Sequence, residues 1–149
     1  MNAENRTIRV YQHSDKPALL KIYDAAVPSA HHFLEESVRM RHRQLAEESL
    51  DDLATKTFVL EENGIIVGFA TFQTEIKMSG FFVNPELKRQ GLGRKLMNYI
   101  QSEKQIIKLA VYKRNRDAVS FYKKMGFQKQ SQKRENSTQP IYFEMTWKA

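Results

Sequence analysis

Apolar residues recur along this chain at two spacings, and the spacing predicts the elements. Ile8-Arg9-Val10 alternates like a short first strand. Ser14, Asp15, Lys16 and Pro17 read as a helix start, with Ser14 as N-cap and proline in the first turn. Ala18, Leu19, Ile22, Ala25 and Ala26 then give a helical apolar face, which Pro28 ends. Residues 29–33 read as a loop. A second helical stretch runs from Leu34 through Leu45 and, after a break, to Leu53; its dense charge predicts partial exposure. Thr57 to Leu60 is a strand, Asn63-Gly64 a hairpin turn, and Ile65 to Phe72 the returning strand. A further strand spans Glu75 to Val83. Short turns between these three predict an antiparallel meander.

The second half begins with a turn at Asn84-Pro85 and a basic loop closing on Gly91-Leu92-Gly93. Leu92, Leu96, Met97 and Ile100 give the helix that follows, to about Gln101 or Lys104. Ile106 to Tyr112 reads as a buried strand. Asn115 caps a helix carrying Ala118, Val119, Phe121, Tyr122 and Met125, with Gly126 as its C-cap. Phe121 and Tyr122 diverge by about 100° on such a helix. With Phe121 toward the core, Tyr122 lies at the edge, toward a cleft. Phe127 opens another strand, residues 130–140 form a polar link, read as a loop or as partly strand, and Ile141 to Trp147 is the last strand. Without repeat or linker, residues 1–149 read as one domain of α+β or mixed α/β class.

Composition narrows the chemistry. The chain has no cysteine, which excludes a disulfide framework, a thiolate metal site and a cysteine nucleophile. The first residues form no apolar leader, and no apolar run approaches about 18 residues, so a soluble, cytoplasmic protein is expected. The net charge of +7 is unevenly spread. Residues 1–75 carry eight Lys/Arg against twelve Asp/Glu, and residues 76–149 sixteen against five. A basic second half suits nucleic acid or a small ligand bearing several phosphates; the plain alternative is a solvated surface.

The stretch from Phe81 to Leu96 favours the small ligand. An apolar strand end meets a turn, a loop with Lys88, Arg89, Arg94 and Lys95 around two glycines, and at once a helix. The first amides of a helix lack internal partners and face outward, with the dipole's positive end. Glycines let an anion approach the backbone. The spacing is neither a P-loop nor a dinucleotide fingerprint, since Leu96 stands where a third glycine belongs.

Val83-x-Pro85…Gly91-x-Gly93, together with Asn115-x-x-Ala118-x-x-Phe121-Tyr122-x-x-x-Gly126-Phe127, resembles the GCN5-related N-acetyltransferase (GNAT) superfamily. Ala30-His31-His32-Phe33-Leu34, Leu109-Ala110-Val111-Tyr112 and Gln139-Pro140 are similar to its small bacterial YiaC/YjaB-like branch. The resemblance implies a single domain with a mostly antiparallel twisted sheet of six to seven strands, a splayed central pair and about four helices on its faces. It implies acetyl-CoA in the splay between Glu75–Val83 and Ile106–Tyr112. Its pantetheine arm would pair with Phe81, Phe82 and Val83, and its pyrophosphate would rest on amides from Lys88 or Arg89 through Gln90, Gly91, Leu92 and Gly93 to Arg94. Lys88 departs from the Gln/Arg usual at its position, and Arg89 stands where relatives often have glycine; it reads as an extra phosphate contact. Asn115 matches the asparagine that contacts cofactor or an ordered water. Tyr122 matches the tyrosine assigned as general acid.

The implied reaction is acetyl transfer to a primary amine by direct attack, with a backbone N–H near Val83 on the oxyanion. A thiol near pKa about 8.5 and a tyrosine near about 10 make Tyr122 a modest acid. Base candidates are His31, His32, Glu75 and, through water, Ser79; His31 and Phe33 match the acceptor loop. The branch points to a protein lysine. A polyamine or aminoglycoside, or a non-catalytic acyl-CoA-binding module, stays open. An acidic first half on the acceptor side would favour a cationic acceptor. No metal is expected, because His13, His31, His32 and His42 show no ligand spacing. Nucleic acid and membrane partners are not expected, and the chain would act as monomer or homodimer.

Overall fold

The computed structural model describes residues 5–87 and 90–149. Strand β1 (Arg6–Val10) leads through a 3-10 turn (His13–Asp15) into α1 (Lys16–Ala30) and α2 (Glu36–Asp51). Strands β2 (Lys56–Glu62), β3 (Ile65–Phe72) and β4 (Met78–Val83) follow. A 3-10 turn (Pro85–Leu87) then precedes α3 (Leu92–Glu103), β5 (Ile106–Tyr112), α4 (Arg116–Lys124), β6 (Gln128–Lys133) and β7 (Tyr142–Lys148).

The strands form two antiparallel sheets, ordered β1-β2-β3-β4 and β5-β7-β6. The predicted meander is present, and Asn63 (φ 54°) and Gly64 (φ 80°) make its first turn in the left-handed region that a two-residue hairpin needs. β4 and β5 run parallel, joined through α3. They meet in one isolated bridge, Lys77 to Lys108, where the Lys108 N–H donates to Ile76 O at 2.8 Å. Beyond it they separate.

The cause of the splay lies in β4. Phe72 pairs with Met78, but the next residue, Thr71, pairs with Gly80, so Ser79 is an extra residue. A bulge bends the strand that carries it and increases its twist. This one sits just past the bridge.

The cores occupy opposite faces of the sheet. Leu92, Leu96, Met97 and Ile100 of α3 pack with Phe72, Ile107, Leu109, Tyr122, Phe127 and Met145, one cluster reaching under both sheets. Leu19, Ile22, Tyr23 and Val27 of α1 and Leu50 of α2 pack on Val59 and Phe69 on the other face. Helices α1 and α2 therefore cover β2 to β4 and leave the same face of β5-β7-β6 bare beyond Tyr112, the end of β5.

Several boundaries differ from the sequence reading. Pro28 lies inside α1 rather than ending it. Val27 is buried and its carbonyl accepts the His31 N–H at 2.8 Å, so packing carries the helix past the missing proline donor. Asp15, not Ser14, stands before α1, because its carboxylate accepts the Gln12 N–H at 2.7 Å and holds Arg9 at 2.8 and 2.9 Å. The last strand of the meander starts at Met78, not Glu75. Part of the polar link is strand β6, whose pairing with β7 overrides a sequence of six polar residues.

Candidate active site

The turn expected to cradle phosphates forms where β4 hands over to α3. Asn84 Oδ1 accepts the Glu86 N–H at 3.0 Å, which fixes the turn at Pro85. Gly91 precedes α3 at φ 76°, and a Cβ built there meets nothing within 4 Å. Glycine is needed by the backbone rather than for space. The Lys95 N–H donates to Gly91 O at 3.0 Å, the first bond of the helix. The N–H groups of Leu92, Gly93 and Arg94 thus have no acceptor within α3. A Cβ on Gly93 would stand 3.4 Å from the Phe121 ring and 3.8 Å from Phe81, so the cradle floor is as low as the packing allows. Leu92 offers only its backbone, since its side chain is in the core. Gln90 is exposed at the loop, and Arg94 lines a cavity of about 530 Å³ with Arg6 and Lys95. The expected contacts at Lys88 and Arg89 lie outside the described residues.

The splay supplies the next part. The Asn84 N–H donates to Val67 O at 2.8 Å, so residue 84 faces β3. Backbone direction alternates along a strand. Phe82 therefore also bonds to β3, while Phe81 and Val83 turn their N–H and C=O toward the gap that β5 has left. This corrects the expected trio: Phe81 and Val83 can pair with a pantetheine arm, and Phe82 cannot without breaking the sheet. Their side chains divide the other way. Phe81 packs against Phe121 (ring centroids 5.4 Å) and Phe82 against Tyr23 (5.2 Å) on the opposite face.

Tyr122 and Phe121 exchange the places expected of them. Tyr122 is the buried one, 8 % exposed, between Phe81, Phe121 and Phe127 at centroid distances of 6.3, 5.7 and 5.5 Å. Phe121 sits at the edge. Burial pushes the Tyr122 phenol well above its ordinary value, since little near it can replace the water a phenolate would lose. Asn115 caps α4, its Oδ1 accepting the Ala118 N–H at 3.4 Å. Its carbonyl oxygen is engaged there, leaving the amide NH2 to serve a ligand.

On the opposite face, His31 and Phe33 meet Tyr112 at the end of β5, with centroids 5.3 and 5.4 Å from its ring. His42 of α2 stacks on the same tyrosine at 6.3 Å, and the Arg114 guanidinium lies 4.8 Å over Phe33. His31 Nδ1 is buried with no hydrogen-bond partner. Burial, with a smaller contribution from His42, lowers the His31 imidazole to about 4, so it is neutral at physiological pH. Glu75 is not brought to this cluster. It stands in the β3–β4 turn at the closed end of the splay, its exposed carboxylate 3.3 Å from Lys104 Nζ.

From Tyr112 a trough of about 850 Å³ runs over the bare face of the second sheet, past Ala110, Tyr142, Glu144 and Thr146 to Lys77, Lys108 and Lys148. Apart from Ala110 and Tyr112, which fall in the run Leu109-Ala110-Val111-Tyr112, these residues do not stand out in the sequence. Their signal is the polar half of two alternations, Lys108-Ala110-Tyr112 and Tyr142-Glu144-Thr146-Lys148, whose apolar half is core. The trough also overturns the expectation of an acidic acceptor side. It is lined mainly by the second half of the chain. Much of the first half's acidity is neutralised within the fold, in pairs of Arg6 with Glu62, Arg9 with Asp15 and Glu61, Lys16 with Asp51, and Arg43 with Asp24 and Glu47.

A helix-end cradle, a half-paired strand and a gap opening to a second face define an acyl-CoA transferase site. Residues 23–148 match the model of the acetyltransferase (GNAT) domain, and the chain belongs to that family. It is 29% identical over 140 residues to peptidyl-lysine N-acetyltransferase YiaC of Escherichia coli (strain K12), covering 94% of this chain and 95% of the relative. The solution structure of apo-form YjaB from Escherichia coli superposes with a TM-score of 0.80 at 25% identity, over 95% of this chain and 97% of that one. A PaiA N-acetyltransferase from Thermoplasma acidophilum, solved with coenzyme A, shares the fold at a TM-score of 0.74 and 14% identity, over 97% and 99%. This protein is an acetyl-CoA-dependent N-acetyltransferase. Among the described residues no helix is long and apolar enough to cross a membrane, and no three His, Asp or Glu gather as a metal site would require.

Proposed function

We propose that the acceptor is the side-chain amine of a protein lysine. One observation carries this reading: the splay opens on one face to the phosphate cradle and on the other to an open, strand-floored trough. An open trough admits a length of polypeptide with one side chain entering the gap, whereas a small amine is better held by an enclosed pocket. The relative named as a peptidyl-lysine N-acetyltransferase supports the same choice.

Acetyl-CoA, when bound, supplies a thioester whose C–S bond breaks as the C–N bond forms. The cradle amides from Gly91 to Arg94 hold its phosphates. The N–H of Val83, or of Phe81 one pleat back, donates to the carbonyl oxygen as charge builds there. Tyr122 stands on the same face as the cradle and donates its O–H to the departing sulfur. Because burial raises its pKa, Tyr122 works as a fixed hydrogen-bond donor more than as a source of a fully transferred proton.

His31 has a different task from the one its type suggests. An imidazolium near 4 lies about six pH units below a lysine ammonium at about 10.4. His31 cannot hold the proton the amine sheds. It shapes the dry wall along which the neutral amine enters, with Phe33 and Tyr112, and the proton leaves to water. Glu75, outside the cluster, has no part in this scheme.

The test is thiol release from acetyl-CoA with lysine peptides, N-terminal peptides, polyamines and aminoglycosides. A lysine peptide should give the highest kcat/KM. A small amine turned over faster overturns the lysine reading.

A further inference from the structure

The floor of the trough carries a charge pattern that the transfer reaction does not use. Lys77 and Lys108 face each other across the single bridge between the sheets. Neighbouring strands lie about 4.8 Å apart, so the two side chains rise side by side from one face. Lys148 joins them from β7, where its neighbour Thr146 pairs with Lys108. Among the described residues none of the three is in an ion pair. Like charges facing each other across strands cost stability; the carboxylate that offsets this in part is Glu144, whose pKa Lys77 helps to lower.

That carboxylate is already engaged elsewhere. Glu144, at the centre of the floor, accepts from Ser131 Oγ at 2.6 Å and from Lys133 Nζ at 3.1 Å. The far end is different in kind. Tyr112 and Tyr142 pair across β5 and β7, with Glu135 lining the same end. The trough thus changes along its length, aromatic and of mixed charge beside the mouth of the splay, where Glu135 stands with Arg114 and Lys133, and basic at its closed end. Lys108 and Tyr112 are four residues apart on one strand, about 13 Å.

We propose that this trough selects lysines that have an acidic residue nearby in the acceptor chain. The acceptor lysine enters the splay beside Ala110, and the flanking carboxylate comes to rest on Lys77 and Lys108, with Lys148 behind them. In an extended chain residues two apart are separated by about 7 Å. That reach matches an aspartate or glutamate two or three positions from the lysine. A basic flank at those positions meets three like charges, which is the stronger half of the discrimination. The inference rests on the lysine reading above and names the sequence context that reading leaves open.

The experiment uses three peptides of one sequence around a single lysine, with Asp, Ala or Arg at the positions two and three removed, on both sides. Turnover is followed as thiol release from acetyl-CoA. The aspartate peptide should exceed the arginine peptide in kcat/KM by about tenfold, mostly through KM, and the ratio should shrink at 0.5 M salt. In a Lys77→Gln/Lys108→Gln variant the ratio should fall to within about twofold, with kcat on the alanine peptide and CoA affinity unchanged, the latter showing that the variant is folded. Equal turnover of the three peptides by the parent enzyme, or a ratio that survives in the variant, overturns the inference and leaves the lysine reading standing. Thiol release on a small amine with none on any of the three peptides overturns both.

Discussion

Tyr122 shows what a residue can be asked to do once its surroundings are known. Its ring is core, packed among three phenylalanines, and its hydroxyl is the part with chemistry. Tyr122→Phe keeps the packing and removes the donor. It should lower kcat/KM for the acceptor by about ten- to a hundredfold while CoA affinity stays within about twofold; an unaltered kcat/KM removes Tyr122 from the reaction. His31 makes a separate prediction. With its imidazole neutral down to about 4, kcat/KM should climb steadily from pH 6 to 9 as the acceptor amine deprotonates, without a break near 6.5. A break there that His31→Gln abolishes would restore His31 as the base. The sequence singles out both residues but not their attitudes. Phe121 and Tyr122 are about 100° apart whichever of them turns inward, and only the fit against Phe81 and Phe127 decides it.

At the level of elements, β4 and α3 act as one device. Gly91→Ala places a side chain at φ 76° with free space around it, so the cost is conformational, about 1 kcal/mol, and falls on the start of α3. CoA affinity should drop about fivefold or more in that variant, measured by titration, with the melting temperature only slightly reduced. Hydrogen exchange tests the strand. The amides of Phe81 and Val83 should exchange faster than that of Phe82, and acetyl-CoA should slow the first two while leaving the third unchanged. Elements with a strong period were legible almost to the residue: β5 runs from Ile106 to Tyr112, as its alternation indicates. Strand β6, Gln-Lys-Gln-Ser-Gln-Lys, has no period to read, because β7 rather than a core face holds it. The bulge at Ser79 leaves no mark in the sequence either, yet it creates the gap that the motifs foretold.

Over the whole molecule, charge is the property that sequence described least well. Counting by halves placed acid on the acceptor side, whereas folding pairs much of that acid with arginines and lysines and presents a mixed, lysine-rich trough instead. Burial has its own consequence for stability. His31 and His42 are both depressed, chiefly by desolvation. An unfolded chain takes up protons on these residues below about 6.5 while the folded one resists. Stability should therefore be flat above that pH and fall as pH drops toward 4, and a His31→Gln/His42→Gln variant should lose part of that slope in thermal melts.

The two sheets share one backbone bridge, and a thread of pantetheine laid along Phe81 and Val83 would be the strand between them. Spent coenzyme carries the same thread and the same phosphates as the charged form. It should clasp the sheets nearly as firmly and raise the melting temperature nearly as much. The enzyme is then built to hold on to what it has finished with. Turnover at high acceptor concentration should be set by the departure of CoA, and free CoA should be a strong competitor of acetyl-CoA, checked by product-inhibition kinetics.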